Sequence, residues 1–139
     1  MAYDQDNVFA RIIRGEAPAF KVYEDDYSLA FMDVMPQVDG HTLVIPKDSA
    51  ENLLDVDADI LGHTARTVQL VGRAVQYAFD APGFMVAQLN GAAAGQSVFH
   101  LHFHIMPRFA GLEFRMHIKD MAEAAILEAH AERIRSHLD

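Results

Sequence analysis

The chain has 139 residues, 51% apolar and 22% charged, which is enough apolar material for one core and too little length for two. Its 20 acidic against 11 basic residues give a formal charge of −9, a field that repels nucleic acid and anionic membrane surfaces. There is no cysteine for disulfides or thiolate metal sites, no apolar run near the ~20 residues that span a bilayer, and an acidic start (Tyr3-Asp4-Gln5-Asp6) unlike a secretory signal, so a cytoplasmic location is expected.

Asn7 is placed to cap a short helix over 8–14 that Gly15 ends, with Phe9 and Ile12 on one face. The β-prone runs 19–23 and 28–32, separated by Glu24-Asp25-Asp26, predict a hairpin, and a third run at 42–45 stops at Pro46, which has no N–H for a central ladder. After Asp57, the residues Ile60, Leu61, Thr64, Val68, Val71, Val75 and Ala78 recur at helical spacing and predict a long helix that ends before Pro82-Gly83 and covers the sheet. Two more strands are expected at 84–89 and 98–105, joined by the small-residue loop from Asn90 to Ser97. In the tail, Met121, Ala125, Leu127, Ala131, Ile134 and Leu138 mark a C-terminal helical extension within 117–138. Five strands mixed with few helices argue for an α+β layer in a single domain over 1–139, and against a doubly wound parallel sheet.

Chemistry concentrates in His100-Leu101-His102-Phe103-His104. Alternation along a strand puts the three imidazoles on one face, neighbours ~6.5 Å apart, while Leu101, Phe103 and Ile105 enter the core. Imidazole serves as nucleophile, acid or base near neutral pH, and three in a row divide such roles: one attacks phosphorus, one holds the tautomer, one binds phosphate oxygens. A zinc site is the rival, since histidines at i and i+2 chelate and either His41 or Asp33 can supply a further ligand. The preceding loop favours phosphate chemistry. Gly91, three alanines and Gly95 leave backbone N–H groups open to an anion, and Gln96 and Ser97 add side-chain donors.

The run from Gly91 to Arg108, with Gly95-Gln96-Ser97 leading into His100, His102 and His104, resembles the histidine-triad (HIT) hydrolases, in particular their Hint-like branch. The likeness extends through 8–18, Tyr23-Glu24-Asp25-Asp26, Ala30-Phe31-Met32-Asp33 and Gly40 to Lys47, so a motif-bearing core covers 7–108. The resemblance implies a five-stranded antiparallel sheet, two copies of which join into a homodimer. It also implies attack of His102 on the α-phosphate of a purine nucleotide conjugate, followed by hydrolysis to a nucleoside monophosphate without metal or cofactor.

By the same likeness His104 and Ser97 contact phosphate or the leaving group, and His100 and His41 complete the catalytic network. Asp33 takes the ribose hydroxyls, while Val8, Phe9, Ile12, Phe31, Val34 and Leu43 line the base pocket. Plain core is the competing reading of those apolar residues.

One position departs from the family pattern: Leu89 stands where asparagine is usual, with Asn90 one step later. Either a bulge returns Asn90 to the pocket, or backbone or water replaces its phosphate contact. The helical tail leaves the leaving group open. Nucleoside phosphoramidates or related adenylyl conjugates are the expected substrates; dinucleoside polyphosphate hydrolysis and a histidine-rich metal-binding protein are the alternatives.

Overall fold

The computed structural model describes residues 2–111 and 119–138, so two residues of the expected C-terminal extension, 117 and 118, lie outside the described residues. Helix α1 (Val8–Ile13) starts where Asn7 Oδ1 accepts the Ala10 N–H at 2.9 Å, and the chain turns at Gly15 with φ +78°. Strands β1 (Lys21–Glu24) and β2 (Ser28–Met32) form the expected hairpin, followed by β3 (Thr42–Pro46). Helix α2 (Ala58–Ala78) begins at Asp57, whose carboxylate accepts the N–H groups of Asp59 and Ile60. Strands β4 (Gly83–Ala87) and β5 (Phe103–Arg108) follow, and helix α3 (Ala124–Arg135) completes the α+β fold.

All four strand pairings are antiparallel, in the order β1-β2-β3-β5-β4. On one face, Ala30, Met32, Val44 and Ile105 pack against Val71, Ala74, Val75 and Ala78 of α2 and against Leu127, Ala131 and Ile134 of α3. Gly72 makes room for β4, because a methyl group there would sit 2.9 Å from the Phe84 ring. On the other face, Leu29, Phe31, Leu43 and Ile45 pack against Phe9 and Ile12 of α1. Period-two alternation assigns Asp33, at the end of β2, and His41, at the start of β3, to this second face. Register brings His104 in with them, since it pairs with Leu43, which in turn pairs with Phe31.

The last strand corrects the expected span of 98–105. It starts at Phe103 and continues to Arg108, and residues 98–102 lie outside the ladder. The Leu101 N–H donates instead to the Ala50 carbonyl at 2.8 Å, which ties this segment to the connection after β3. Pro107 is tolerated because β3 pairs only as far as Ile105, so no donor is required of it on that side. The three histidines therefore do not share a regular strand: His100 and His102 precede it and His104 lies within it.

Candidate active site

Hydrogen-bond partners define the protonation of each ring. The His100 Nε2 lies 2.8 Å from the Pro46 carbonyl oxygen, which only accepts, so Nε2 carries the proton. Its Nδ1 is then bare and accepts the Tyr3 hydroxyl. The His102 Nδ1 lies 2.7 Å from the carbonyl oxygen of His100 and donates to it, leaving Nε2 with a free lone pair. A second chain starts at the backbone N–H of Gln37, which donates to His41 Nδ1 at 3.0 Å. His41 Nε2 therefore bears the proton and donates to His104 Nδ1 at 2.9 Å, so His104 presents Nε2–H as a donor.

The rings pack edge to face: His102 and His104 have centroids 5.0 Å apart, and the Phe9 ring stands 5.0 Å from His102 at 88°. Burial resolves the crowding of like-charging groups. It depresses all four histidines below 6.5, His41 to about 3, His100 and His104 to about 4, with neighbouring histidines adding to the effect at these three. All four are neutral at pH 7.

Asp33 is shifted the opposite way. Burial raises its carboxyl to about 6, against the Met35 N–H that donates to Oδ1 at 2.8 Å. Its Oδ2 lies 3.5 Å from His41 Nε2, and since that ring is neutral the contact is a carboxylate beside a dipole, not an ion pair. Gly40, at φ +90°, presses its Cα against the Phe79 ring, leaving no room for a side chain beside His41.

A model of the HIT domain matches residues 14–111. The chain belongs to the HIT domain family. An Arabidopsis thaliana relative named adenylylsulfatase HINT3 is 42% identical over 103 residues, covering 74% of this chain and 52% of that protein. The crystal structure of a HIT-like protein involved in cell-cycle regulation from Bartonella henselae matches with TM-score 0.93 and 50% identity, over 99% of this chain and 100% of that one. A zinc-bound histidine triad protein from Mycobacterium smegmatis matches with TM-score 0.83 and 33% identity, over 96% and 94%. The expected HIT fold is thus present, and family membership makes this chain a relative of nucleotide-binding hydrolases.

The HIT loop differs from an open anion cradle. The N–H groups of Ala94 and Gln96 donate to the Gly91 carbonyl, that of Gly95 to the Ala92 carbonyl, and that of Gly91 to Gln96 Oε1 at 2.8 Å. Gln96 is buried, and its Nε2 donates to the carbonyls of Glu51 and Val98, so its side chain braces the loop and has no donor left for phosphate. Gly95 supplies a left-handed turn at φ +101°. Ser97 is exposed, and among the described residues its hydroxyl takes no protein partner.

Asn90 exchanges two hydrogen bonds with the Gln88 amide and accepts the Leu53 N–H at 2.9 Å. Its side chain ties the loop to the segment after β3; the alternative of a pocket asparagine restored by a bulge is not what this geometry presents. Phe9, Ile12, Phe31 and Leu43 belong to one buried cluster beneath the histidines, while Val8 and Val34 are exposed and are not part of it. A cavity of about 260 Å³ is lined by Glu51, Asn52, Leu54 and Asp55, none of them an expected site residue.

Asp33, His41 and His104 offer ligand atoms within 4.8 Å of one another. The set fits a divalent cation poorly. With the His41 Nδ1 lone pair taken by the Gln37 N–H, Nε2 must hold a proton, and ligation there requires that backbone bond to break. Tyr3, the Pro46 carbonyl and the Gln37 N–H had no sequence signal. Tyr3 is 97 residues from its partner, and backbone groups carry no side-chain signature.

Proposed function

We propose that this HIT protein hydrolyses purine nucleoside phosphoramidates or related adenylyl conjugates at the α-phosphate, through a nucleotidyl-His102 intermediate, as a homodimer. The observation that carries the reading is the His102 tautomer. With Nδ1–H donated to the His100 carbonyl, Nε2 offers its lone pair at neutral pH. Attack forms a phosphorus–Nε2 bond and breaks the bond to the leaving group, which takes a proton from solvent by way of the exposed Ser97 hydroxyl. The ring becomes cationic as it attacks, so its bond to the His100 carbonyl strengthens in the transition state relative to the ground state.

The His104 Nε2–H binds a phosphate oxygen while His41 holds that ring in the required tautomer. Water then displaces His102 and releases the monophosphate. Asp33, ionised above pH 6, accepts from the ribose diol, and the Phe9-Phe31-Leu43 cluster supports the base, with the exposed Val8 and Val34 assigned to the same pocket. The adenylylsulfatase name of the Arabidopsis relative supports an adenylyl conjugate as substrate, sulfate being one leaving group to test.

The deciding experiment is rapid quench with labelled adenosine phosphoramidate, adenosine phosphosulfate and a diadenosine polyphosphate, compared between wild type and His102→Ala. Label on His102, and a fall in turnover on the order of 10³-fold or more in the variant, are expected. A fully active His102→Ala protein overturns the mechanism, and preference for the diadenosine substrate overturns the substrate class.

A further inference from the structure

We propose that Tyr3 is a positioning residue for the nucleophile: its hydroxyl, donated to His100 Nδ1, locks the His100 ring and carbonyl that orient His102. The inference rests on the role of His102 proposed above and extends it to a residue outside the matched family segment of 14–111.

Three observations carry it. First, His100 is fully buried with hydrogen bonds at both ring nitrogens, to the Pro46 carbonyl and from Tyr3. Tyr3 is the donor to Nδ1, and without it that buried acceptor has no partner. Second, the carbonyl that receives His102 Nδ1–H belongs to His100 itself, and the N–H of the same peptide unit, on Leu101, donates to Ala50 at 2.8 Å. Ring and peptide of His100 are thus pinned at three points, by Pro46, Tyr3 and Ala50, and its carbonyl oxygen accepts from the nucleophile. Ring and carbonyl hang from the same Cα, so a ring held at both nitrogens helps to fix the residue whose carbonyl receives the nucleophile.

Third, the segment that delivers Tyr3 is itself fastened. Arg14 Nη1 donates to the Gln5 carbonyl at 2.7 Å, and Asn7 Nδ2 donates to that of Asp4 at 2.7 Å. Packing adds to the hydrogen bond, since the Tyr3 and His100 rings meet at 67° with centroids 5.6 Å apart. Burial raises the phenol's pKa, so it remains a donor across the working range of a neutral-histidine enzyme.

Tyr3→Phe tests the idea because it deletes one oxygen and keeps the ring. Two readouts are needed. ¹⁵N NMR of the imidazoles is expected to show His100 in a single tautomer, protonated at Nε2, in the wild type. In the variant it should exchange between tautomers and titrate at higher pH, because the neutral ring has lost its donor. Single-turnover labelling of His102 by adenosine phosphoramidate should slow roughly tenfold, with KM nearly unchanged.

An unchanged His100 spectrum, or an altered spectrum with an unaltered labelling rate, overturns the positioning role. Failure of the wild type to label at all refutes the proposed function instead. In that case the NMR readout alone decides whether Tyr3 holds His100. A cooperative thermal transition in Tyr3→Phe, lowered only modestly by the one buried acceptor left unpaired, separates positioning from unfolding.

Discussion

At the residue scale, the site depends on keeping imidazoles neutral in a space too small for their charges. His41, His100 and His104 have folded pKa values of about 3, 4 and 4 against 6.5 for a free ring, so the unfolded chain binds more protons below pH 6.5. The stability they contribute is complete above 6.5 and is lost as pH falls toward those values, at roughly 1.4 kcal/mol per pH unit for each group. Asp33, raised from 3.8 to about 6, works oppositely: its burial cost is present above 6 and is relieved as pH falls toward 3.8. Three groups against one predict a melting temperature that drops between pH 6.5 and 4.5. Thermal melts across that range check it, and His41→Asn should flatten the slope. A curve without dependence on pH contradicts the buried neutral rings.

Which ring does what also belongs to this scale, and the sequence was informative only in part. Three imidazoles at alternate positions of one motif, with the small-residue loop before them, pointed to phosphate chemistry ahead of a zinc site. The tautomers did not follow from the motif. They are set by the carbonyls of Pro46 and His100 and by the Gln37 N–H, groups that every residue owns and whose position only folding decides.

At the scale of elements, the loop between β4 and β5 is a braced turn. Gln96 closes it from inside, with its oxygen on the Gly91 N–H and its nitrogen on two carbonyls. Gln96→Ala leaves three buried or half-buried backbone groups without a partner and should cost roughly 1–3 kcal/mol, with kcat/KM falling because Ser97 follows directly. Chemical denaturation and steady-state kinetics measure both effects; loss of neither means that the brace is dispensable. The same region shows why 98–105 read as one strand. Alternation of Leu101, Phe103 and Ile105 is compatible with any extended chain, whereas a ladder needs partners, and Leu101 gives its N–H to Ala50. Helices α1 and α2 were legible because Asn7, Asp57 and the spacing of apolar residues act locally.

At the scale of the whole molecule, β4 is an edge strand that exposes Phe84 and Val86, and α2 exposes Tyr77 nearby in the chain. An apolar edge of this kind invites pairing with another strand, and the resemblance to Hint-like enzymes implies a second copy of the chain as its occupant. Val86→Lys is expected to shift a sedimentation profile from dimer to monomer. A wild-type protein that sediments as a monomer at micromolar concentration refutes the expectation. The acidic surface, at −9 overall, leaves small phosphates to be held by local donors without help from long-range attraction.

The amino-acid sequence by itself determined the α+β class, the caps and spacing of the helices, and a histidine cluster with Asp33 and His41 as its companions, since these follow from local propensity, periodicity and a specific motif. Only the tertiary structure decided that His102 holds its proton on Nδ1, that Gln96 and Asn90 brace the loop, and that Tyr3 reaches His100. Each of those depends on a contact between segments distant along the chain, where hydrogen-bond direction and burial are set by packing and no local pattern encodes them.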